Sequence, residues 1–187
     1  MFADDPPRRC SYAIVGCGTA GQSAAEALRQ EGYTGRIVMI SDEKHMPYDR
    51  IMVSKDFSKP PPPLRAAGFH HEYDIEVQLG SKVAEVDALS KTISFADGAK
   101  LKFDKAIIAS GCSARSLPAT VSSPKFTNVH TLRTADDTAA LKATAAGAKR
   151  VVVVGGGFIG LEAAFALKKQ LNVESVTVVE PSQVPLV

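Results

Sequence analysis

The sequence predicts an α/β fold with two β-α-β units, one near each end of the chain, and an antiparallel β-meander between them. Three observations carry that prediction. "YAIVGCGTAGQSAAEALRQ", beginning at Tyr12, and "VVVVGGGFIGLEAAFAL", beginning at Val151, each read as an apolar strand, a glycine-rich turn and a helix rich in small residues. Each is followed by a second β-branched run, "RIVMI" and "VTVV". Short β-rich runs separated by turn signals fill the middle of the chain.

Taken in order, residues 11–15 form a buried-type strand, 16–21 the turn, and 19–31 a helix whose Ala20, Ala24, Ala25 and Ala27 permit close packing on a sheet. Gly32 ends the helix and 36–40 form a second, parallel strand, so the unit fills about thirty residues, as such units do. From 41 to 68 the pattern breaks down into polar sequence punctuated by Pro47. The run "KPPPPLR" within it reads as a stiff, solvated connection, with a polyproline ligand as the lesser alternative. Residues 75–79, 82–86, 92–95 and 101–103 read as the short strands of the meander, divided by "LGS", "DALS" and "ADGAK". Residues 105–111, "KAIIASG", are a buried strand running into a Ser-Gly turn, and 112–126 are linker-like. A helix over 134–146 has Thr134 as N-cap and Asp136 and Asp137 in its first turn, where the helix dipole favours acids. The second β-α-β unit occupies 150–154, 158–170 and 175–180.

Composition excludes several classes. A chain of 187 residues suits one large domain or two small ones. A formal charge of +2 gives no reason to expect nucleic acid or an acidic membrane surface as partner. Cys10, Cys17 and Cys112 make neither a disulfide framework nor a CxxC pair, which fits a reducing compartment. The first residues lack the apolar core of a secretory signal, and no apolar run approaches the roughly 18 residues of a membrane span. The expected location is the cytoplasm, with mitochondria as the alternative. His70 and His71 are adjacent rather than at ligand spacing, so they read as a surface pair and no metal site is expected.

Both turns follow G-x-G-x-x-G: Gly16, Gly18 and Gly21, then Gly155, Gly157 and Gly160. The first glycine makes the tight turn and the second lets backbone approach a pyrophosphate. The third brings the helix onto the strand, so that its N-terminal N–H groups face the phosphates. An acid follows each at the spacing that meets a ribose: Asp42, twenty-one residues past Gly21, and Glu180, twenty past Gly160. For either turn alone, glycines that serve only helix–strand packing are the lesser alternative. Both together make the units Rossmann-like and predict two dinucleotides in one chain, the usual reason being electron transfer between them.

"GCGTAGQSAAEALRQEGYTGRIVMISDEKHMPYDRIMVSKDF", "IIASG" and "VVVVGGGFIGLEAA" together resemble the ferredoxin reductase and apoptosis-inducing-factor-like family, within the FAD-dependent pyridine nucleotide-disulfide oxidoreductase superfamily. The resemblance spans nearly the whole chain. It implies an FAD-binding first segment over 10–116 and an incomplete NAD(P)-binding domain over 117–187. Gly16, Gly18 and Gly21, with Thr19 and Ala20, would cradle the FAD pyrophosphate, and Asp42 would meet the adenosine ribose. "DRIMVSK" matches the family's Arg-x-x-x-Ser-Lys segment, so Arg50 and Lys55 would lie along FAD, Lys55 close to the isoalloxazine. The backbone of Val83 would contact the adenine, and Ala109, Ser110 and Gly111 match the family's Ala-Thr-Gly turn over FAD. Arg115 and Arg133 match arginines near the flavin, with a surface ion pair as the alternative for each. Gly155, Gly157, Phe158, Ile159 and Gly160 would hold the NAD pyrophosphate. Glu162, placed in the first turn of the second helix, would lie near the nicotinamide–flavin contact, or serve only to stabilise the helix dipole. Glu180 would accept from the ribose hydroxyls and repel a 2′-phosphate, and "PSQVPLV" offers no arginine to receive one, so NAD(H) is expected over NADP(H).

The resemblance implies hydride transfer from NADH to FAD and passage of electrons to a ferredoxin-, rubredoxin- or Rieske-type acceptor. Lys55 and Glu162 are its catalytic candidates. A monodehydroascorbate reductase of the same architecture and a non-catalytic nucleotide-binding or interaction fragment are the alternatives. The sequence departs from the family in three respects. "RIMVSK" lacks the prolines before the family's Ser-Lys, no redox cysteine pair follows the first helix, and the family continues well past residue 187. The chain is therefore expected to be an N-terminal part, and its oligomeric state is left open.

Overall fold

Four consecutive apolar residues leave a strand no face for solvent, and Ile37–Ile40 is buried along its whole length. In the computed structural model, which describes residues 8–117, 126 and 128–183, this run is an inner strand of a six-stranded sheet. Among the described residues the elements are β1 (Arg8–Val15), α1 (Thr19–Gln30), β2 (Ile37–Ile40), α2 (Met52–Lys55), α3 (Phe69–Glu72), β3 (Ile75–Gln78), β4 (Val83–Asp87), β5 (Thr92–Phe95), β6 (Lys100–Ile108), α4 (Ala135–Ala145), β7 (Arg150–Val154), α5 (Phe158–Lys169) and β8 (Ser175–Val179). Residues 1–7, 118–125 of the predicted linker, 127, and 184–187 at the end of "PSQVPLV" lie outside the described residues.

The chain divides into two units, one within Met1–Tyr48 and Pro63–Gly111, the other within Asp49–Pro62 and Cys112–Val187. The first holds the sheet β3-β2-β1-β6-β5-β4. β1 is parallel to β2 and β6, and β2 to β3, while β4, β5 and the first half of β6 form antiparallel pairs. Successive side chains point to opposite faces. Ile14, Ile37 and Met39 therefore meet Ala25 of α1, while Ala13, Val38 and Ile40 meet Phe95 and Phe103 from the antiparallel strands. Fully burying one such side chain stabilises by about 1.5–3 kcal/mol.

The meander begins later than the sequence suggests. β3 is not one of its strands but the parallel edge beyond β2. The "LGS" turn resembles a hairpin turn, yet Ser81 N–H donates to Ser41 O at 2.7 Å and Gly80 N–H to Glu43 O at 2.9 Å. The chain leaving β3 thus tracks the loop after β2 instead of folding back on β3. Residues 101–103 and 105–108, read as parts of two strands, belong to one, because β6 pairs with β5 at its start and with β1 along most of its length.

α3 and the half-buried His70 correct the reading of a surface histidine pair. His70 Nε2 lies 2.8 Å from Gln22 Oε1, Gln22 Nε2 donates to Glu26 Oε1 at 2.7 Å, and Arg65 donates to Glu26 Oε2 at 2.6 Å. Burial of the ring lowers the His70 pKa and the Arg65 charge adds to that, whereas Glu26 opposes it. Below the unfolded histidine value of about 6.5 the unfolded chain therefore takes up a proton that the native ring resists, so stability falls as pH drops through that window. Urea midpoints measured between pH 7.5 and 5.5 should show that fall, and His70→Gln should flatten it.

In the second unit β7 and β8 are parallel, and α5 packs on them through Ala163, Ala166 and Leu167. Thr134 and Asp137 cap α4 reciprocally, as the sequence predicts for Thr134. Residues 49–62, placed by sequence within the first segment, group instead with this unit, and the reason is packing. Phe57 is 1% exposed in the α5 core, Thr138 Oγ1 donates to Val53 O at 3.0 Å, and Gln170 Oε1 accepts Phe57 N–H at 2.6 Å. Phe57→Ala should destabilise the unit by about 3–5 kcal/mol, read from urea denaturation followed in α5.

Candidate functional site

Two strand-to-helix turns, one in each unit, repeat the same backbone. Gly16 takes φ +113° and donates its N–H to Ile40 O at 2.8 Å; Gly155 takes φ +111° and donates to Val179 O at 2.8 Å. A methyl group at Gly21 would overlap the Gly16 carbonyl oxygen, and one at Gly160 would overlap that of Gly155. Each helix is laid directly on its own turn, which only glycine permits at these positions. Gly16 also faces the Ala109 carbonyl, again with no room for a methyl group, and Ala109 N–H donates to Val15 O at 2.7 Å. The Ala109–Ser110–Gly111 turn is thereby seated against the first glycine turn, with Gly111 at φ +69°.

Gly18 and Gly157 are the extended N-cap residues of α1 and α5, and a methyl group on either would meet nothing within 4 Å. Neither helix has a side-chain cap or an acid in its first turn, in contrast to α4. The first N–H groups of both helices are thus left for an external acceptor, and the dipole is uncompensated, as a pyrophosphate requires. Thr19, Ala20, Phe158 and Ile159, the first residues of the two helices, are exposed. The donor set fits a dinucleotide at each turn.

The acids differ. Glu180 bends back over the second turn: Oε2 accepts the Gly156 N–H, and Oε1 accepts the Ser182 N–H at 3.0 Å. These bonds, Gly156 first, lower its pKa below the ordinary glutamate value. Asp42 is exposed just beyond β2, at the same sheet end as the first turn. The position matching Gly156 is Cys17, 6% exposed, whose thiol is pushed up to about 12, chiefly by burial and then by Glu43. That argues against a reactive thiol in the turn.

Lys55 and Glu162 are brought together in the second unit. Lys55 Nζ lies 3.6 Å from Glu162 Oε1, and Ser54 Oγ donates to Glu162 Oε2 at 2.6 Å. Glu162 is the fifth residue of α5 and not in its first turn, so its carboxylate serves α2 rather than the helix terminus. Gln170 closes the other end of the contact, its Nε2 donating to Lys55 O at 2.8 Å. Arg50 donates to Arg133 O at 2.9 Å and Arg133 Nε to Cys112 O at 3.0 Å, so both arginines hold backbone in this unit. Arg115 is exposed, and Val83 opens β4 opposite Phe95 beside a bulge. Ser54 and Gln170 were not singled out from sequence; Ser54 was legible as the neighbour of Lys55 in the Ser-Lys pair, whereas Gln170 carries no local signal. Among the described residues no group of three or more His, Cys, Asp or Glu is placed to hold a metal ion, and no helix is long and apolar enough to cross a membrane.

Residues 10–186 match the family model of the pyridine nucleotide-disulphide oxidoreductases. The chain is 40% identical over 174 residues to human apoptosis-inducing factor 3, covering 92% of this chain and 28% of that protein. It is 42% identical over 172 residues to the ferredoxin–NAD(+) reductase subunit of the benzene 1,2-dioxygenase system of Pseudomonas putida, covering 90% and 41%. The ferredoxin reductase for the CYP199A2 system of Rhodopseudomonas palustris superposes with a TM-score of 0.83 at 34% identity, covering 92% of this chain and 43% of that one. The chain thus spans less than half the length of these relatives. With both glycine turns inside the matched residues, this chain belongs to the pyridine nucleotide-disulphide oxidoreductase family.

Proposed function

We propose that the chain is the dinucleotide-binding part of an NADH-dependent flavoprotein reductase, with FAD on the α1 turn and NAD(H) on the α5 turn. The single observation that carries this reading is the pair of uncapped, acid-free helix N-termini, each laid on its own glycine turn. When bound, FAD supplies acceptance of a hydride from the nicotinamide and its release as single electrons. The residues do the rest. Gly16, Gly18, Thr19, Ala20 and Gly21 hold one pyrophosphate, with Asp42 on the ribose and Val83, Ala109, Ser110 and Gly111 along the same group. Gly155, Gly157, Phe158, Ile159 and Gly160 hold the other. Lys55, paired with Glu162, presents a positive charge to the ring that gains electrons. Arg50, Arg115 and Arg133 add positive charge beside that group. The acceptor is a small iron–sulfur protein, in keeping with relatives named as ferredoxin–NAD(+) reductases.

The reading is tested first by titrating the purified chain with FAD and following flavin fluorescence. Saturable quenching that Gly18→Asp abolishes supports it, and none, in this chain and in a form extended to the relatives' length, overturns it. In the extended form Lys55→Glu should slow flavin reduction by NADH about tenfold, equal to roughly 1.4 kcal/mol of barrier. Unchanged stopped-flow rates would remove Lys55 from the chemistry.

Cofactor choice rests on Glu180. Its carboxylate is held ionised over the Gly156 N–H, where it accepts from ribose hydroxyls and repels a 2′-phosphate. Glu180→Ala should weaken NADH and leave NADPH no worse, shifting the ratio of the two kcat/KM values by about tenfold or more. A wild-type preference for NADPH would overturn this role.

A further inference from the structure

We infer that Ser54 is a positioning residue, whose hydroxyl fixes the Glu162 carboxylate so that its second oxygen is presented to Lys55. The inference deepens the proposed function and rests on its assignment of Lys55 and Glu162. Ser54 is 7% exposed and has one hydroxyl proton to give. Glu162 Oε2 is 2.6 Å away, the length of a charge-assisted bond, whereas Ile51 O, the other acceptor in reach, is 3.4 Å away. With Oε2 committed to Ser54, the carboxylate is held against rotation about its last bond, and Oε1 remains on the Lys55 side at 3.6 Å. Neither partner is deeply buried, since the Lys55 and Glu162 side chains are 49% and 31% exposed. Without a third group, a pair so exposed keeps little fixed geometry.

Holding α2 in place is a separate task, done by other residues. Thr138 Oγ1 binds Val53 O at 3.0 Å, Gln170 binds Lys55 O at 2.8 Å and Phe57 N–H at 2.6 Å, and Lys142 Nζ binds Ser58 O at 3.3 Å. The backbone on both sides of Ser54 is therefore anchored without its hydroxyl. What the hydroxyl alone does is set the direction of one carboxylate. Replacement by alanine removes a single oxygen and suits the helix.

Acetylation of individual lysines by an amine-reactive ester, followed by peptide mass spectrometry, tests this on the chain as it is. Ser54→Ala should raise the Lys55 rate about twofold, within the range that exposed ion pairs are worth. Lys142, which reports whether the 49–62 segment has loosened, should not change. Glu162→Gln should raise Lys55 to the same extent, and Ser54→Ala in the Glu162→Gln background should add nothing, because the serine acts through that carboxylate. A Lys55 rate unmoved by Ser54→Ala, a parallel rise at Lys142, or a further rise in the double variant overturns the inference. In the extended form, Ser54→Ala should also slow flavin reduction while leaving the NADH dissociation constant unchanged; an unchanged rate overturns the positioning role as well. Failure of that form to bind FAD would instead overturn the functional reading, and the acetylation result would stand apart from it.

Discussion

Everything proposed for this chain depends on two contacts that no side chain would allow: Gly21 on the Gly16 carbonyl and Gly160 on the Gly155 carbonyl. Each brings a helix down onto the turn from which it springs. The consequence is electrostatic as much as steric. Pressed against the turn, the helix directs its first N–H groups toward the open side of Gly18 or Gly157, and the absence of capping side chains leaves them unanswered. A cap on either helix would add local stability, about 0.5–2 kcal/mol by comparison with other helices, and would compete with the anion. α4, which faces no such demand, has its capping box.

The second constraint is the route of the chain between Tyr48 and Pro63. It leaves the first unit, contributes Arg50 to Phe57 to the second, and returns. Phe57 buries itself among Ala163, Ala166 and Leu167, and this apolar anchor places Ser54 and Lys55 along α5. Lys55 is thus oriented by the unit that carries the second glycine turn. The Lys55–Glu162 pair joins residues 107 positions apart in sequence, within one packed unit.

The sequence made the repeated elements legible because their signals are local. Strand, glycine spacing, alanine-rich helix and acid occur within about thirty residues, and Thr134 with its first-turn acids announces α4. The misreadings concern partners at a distance. "LGS" specifies a turn after β3 but not which strand the chain then follows, so a parallel edge was read as part of a meander. α2 and α3 are single turns of four residues, too short for helical periodicity to show. His70 looks solvated in sequence because its partner, Gln22, lies forty-eight residues earlier. Glu162, expected as a first-turn acid, is the fifth residue of α5, and its partners Ser54 and Lys55 lie too far away in sequence for any local pattern to reveal them.

The two turns, alike in backbone, are not alike chemically, and the difference lies at one position. Gly156 leaves its N–H open to Glu180, and a methyl group there would press on the carboxylate. Cys17, the matching residue, is buried in the core with Ile14 and Ala25 and hydrogen-bonds Ser41, while Asp42 is exposed just beyond β2. In the second turn the acid is therefore held by the Gly156 and Ser182 N–H groups, which lower its pKa. In the proposed function, a carboxylate so placed would discriminate by repulsion of a 2′-phosphate. The same fold motif thus holds its acid against the turn's own backbone where a glycine follows the first glycine, and leaves it exposed where a buried cysteine does.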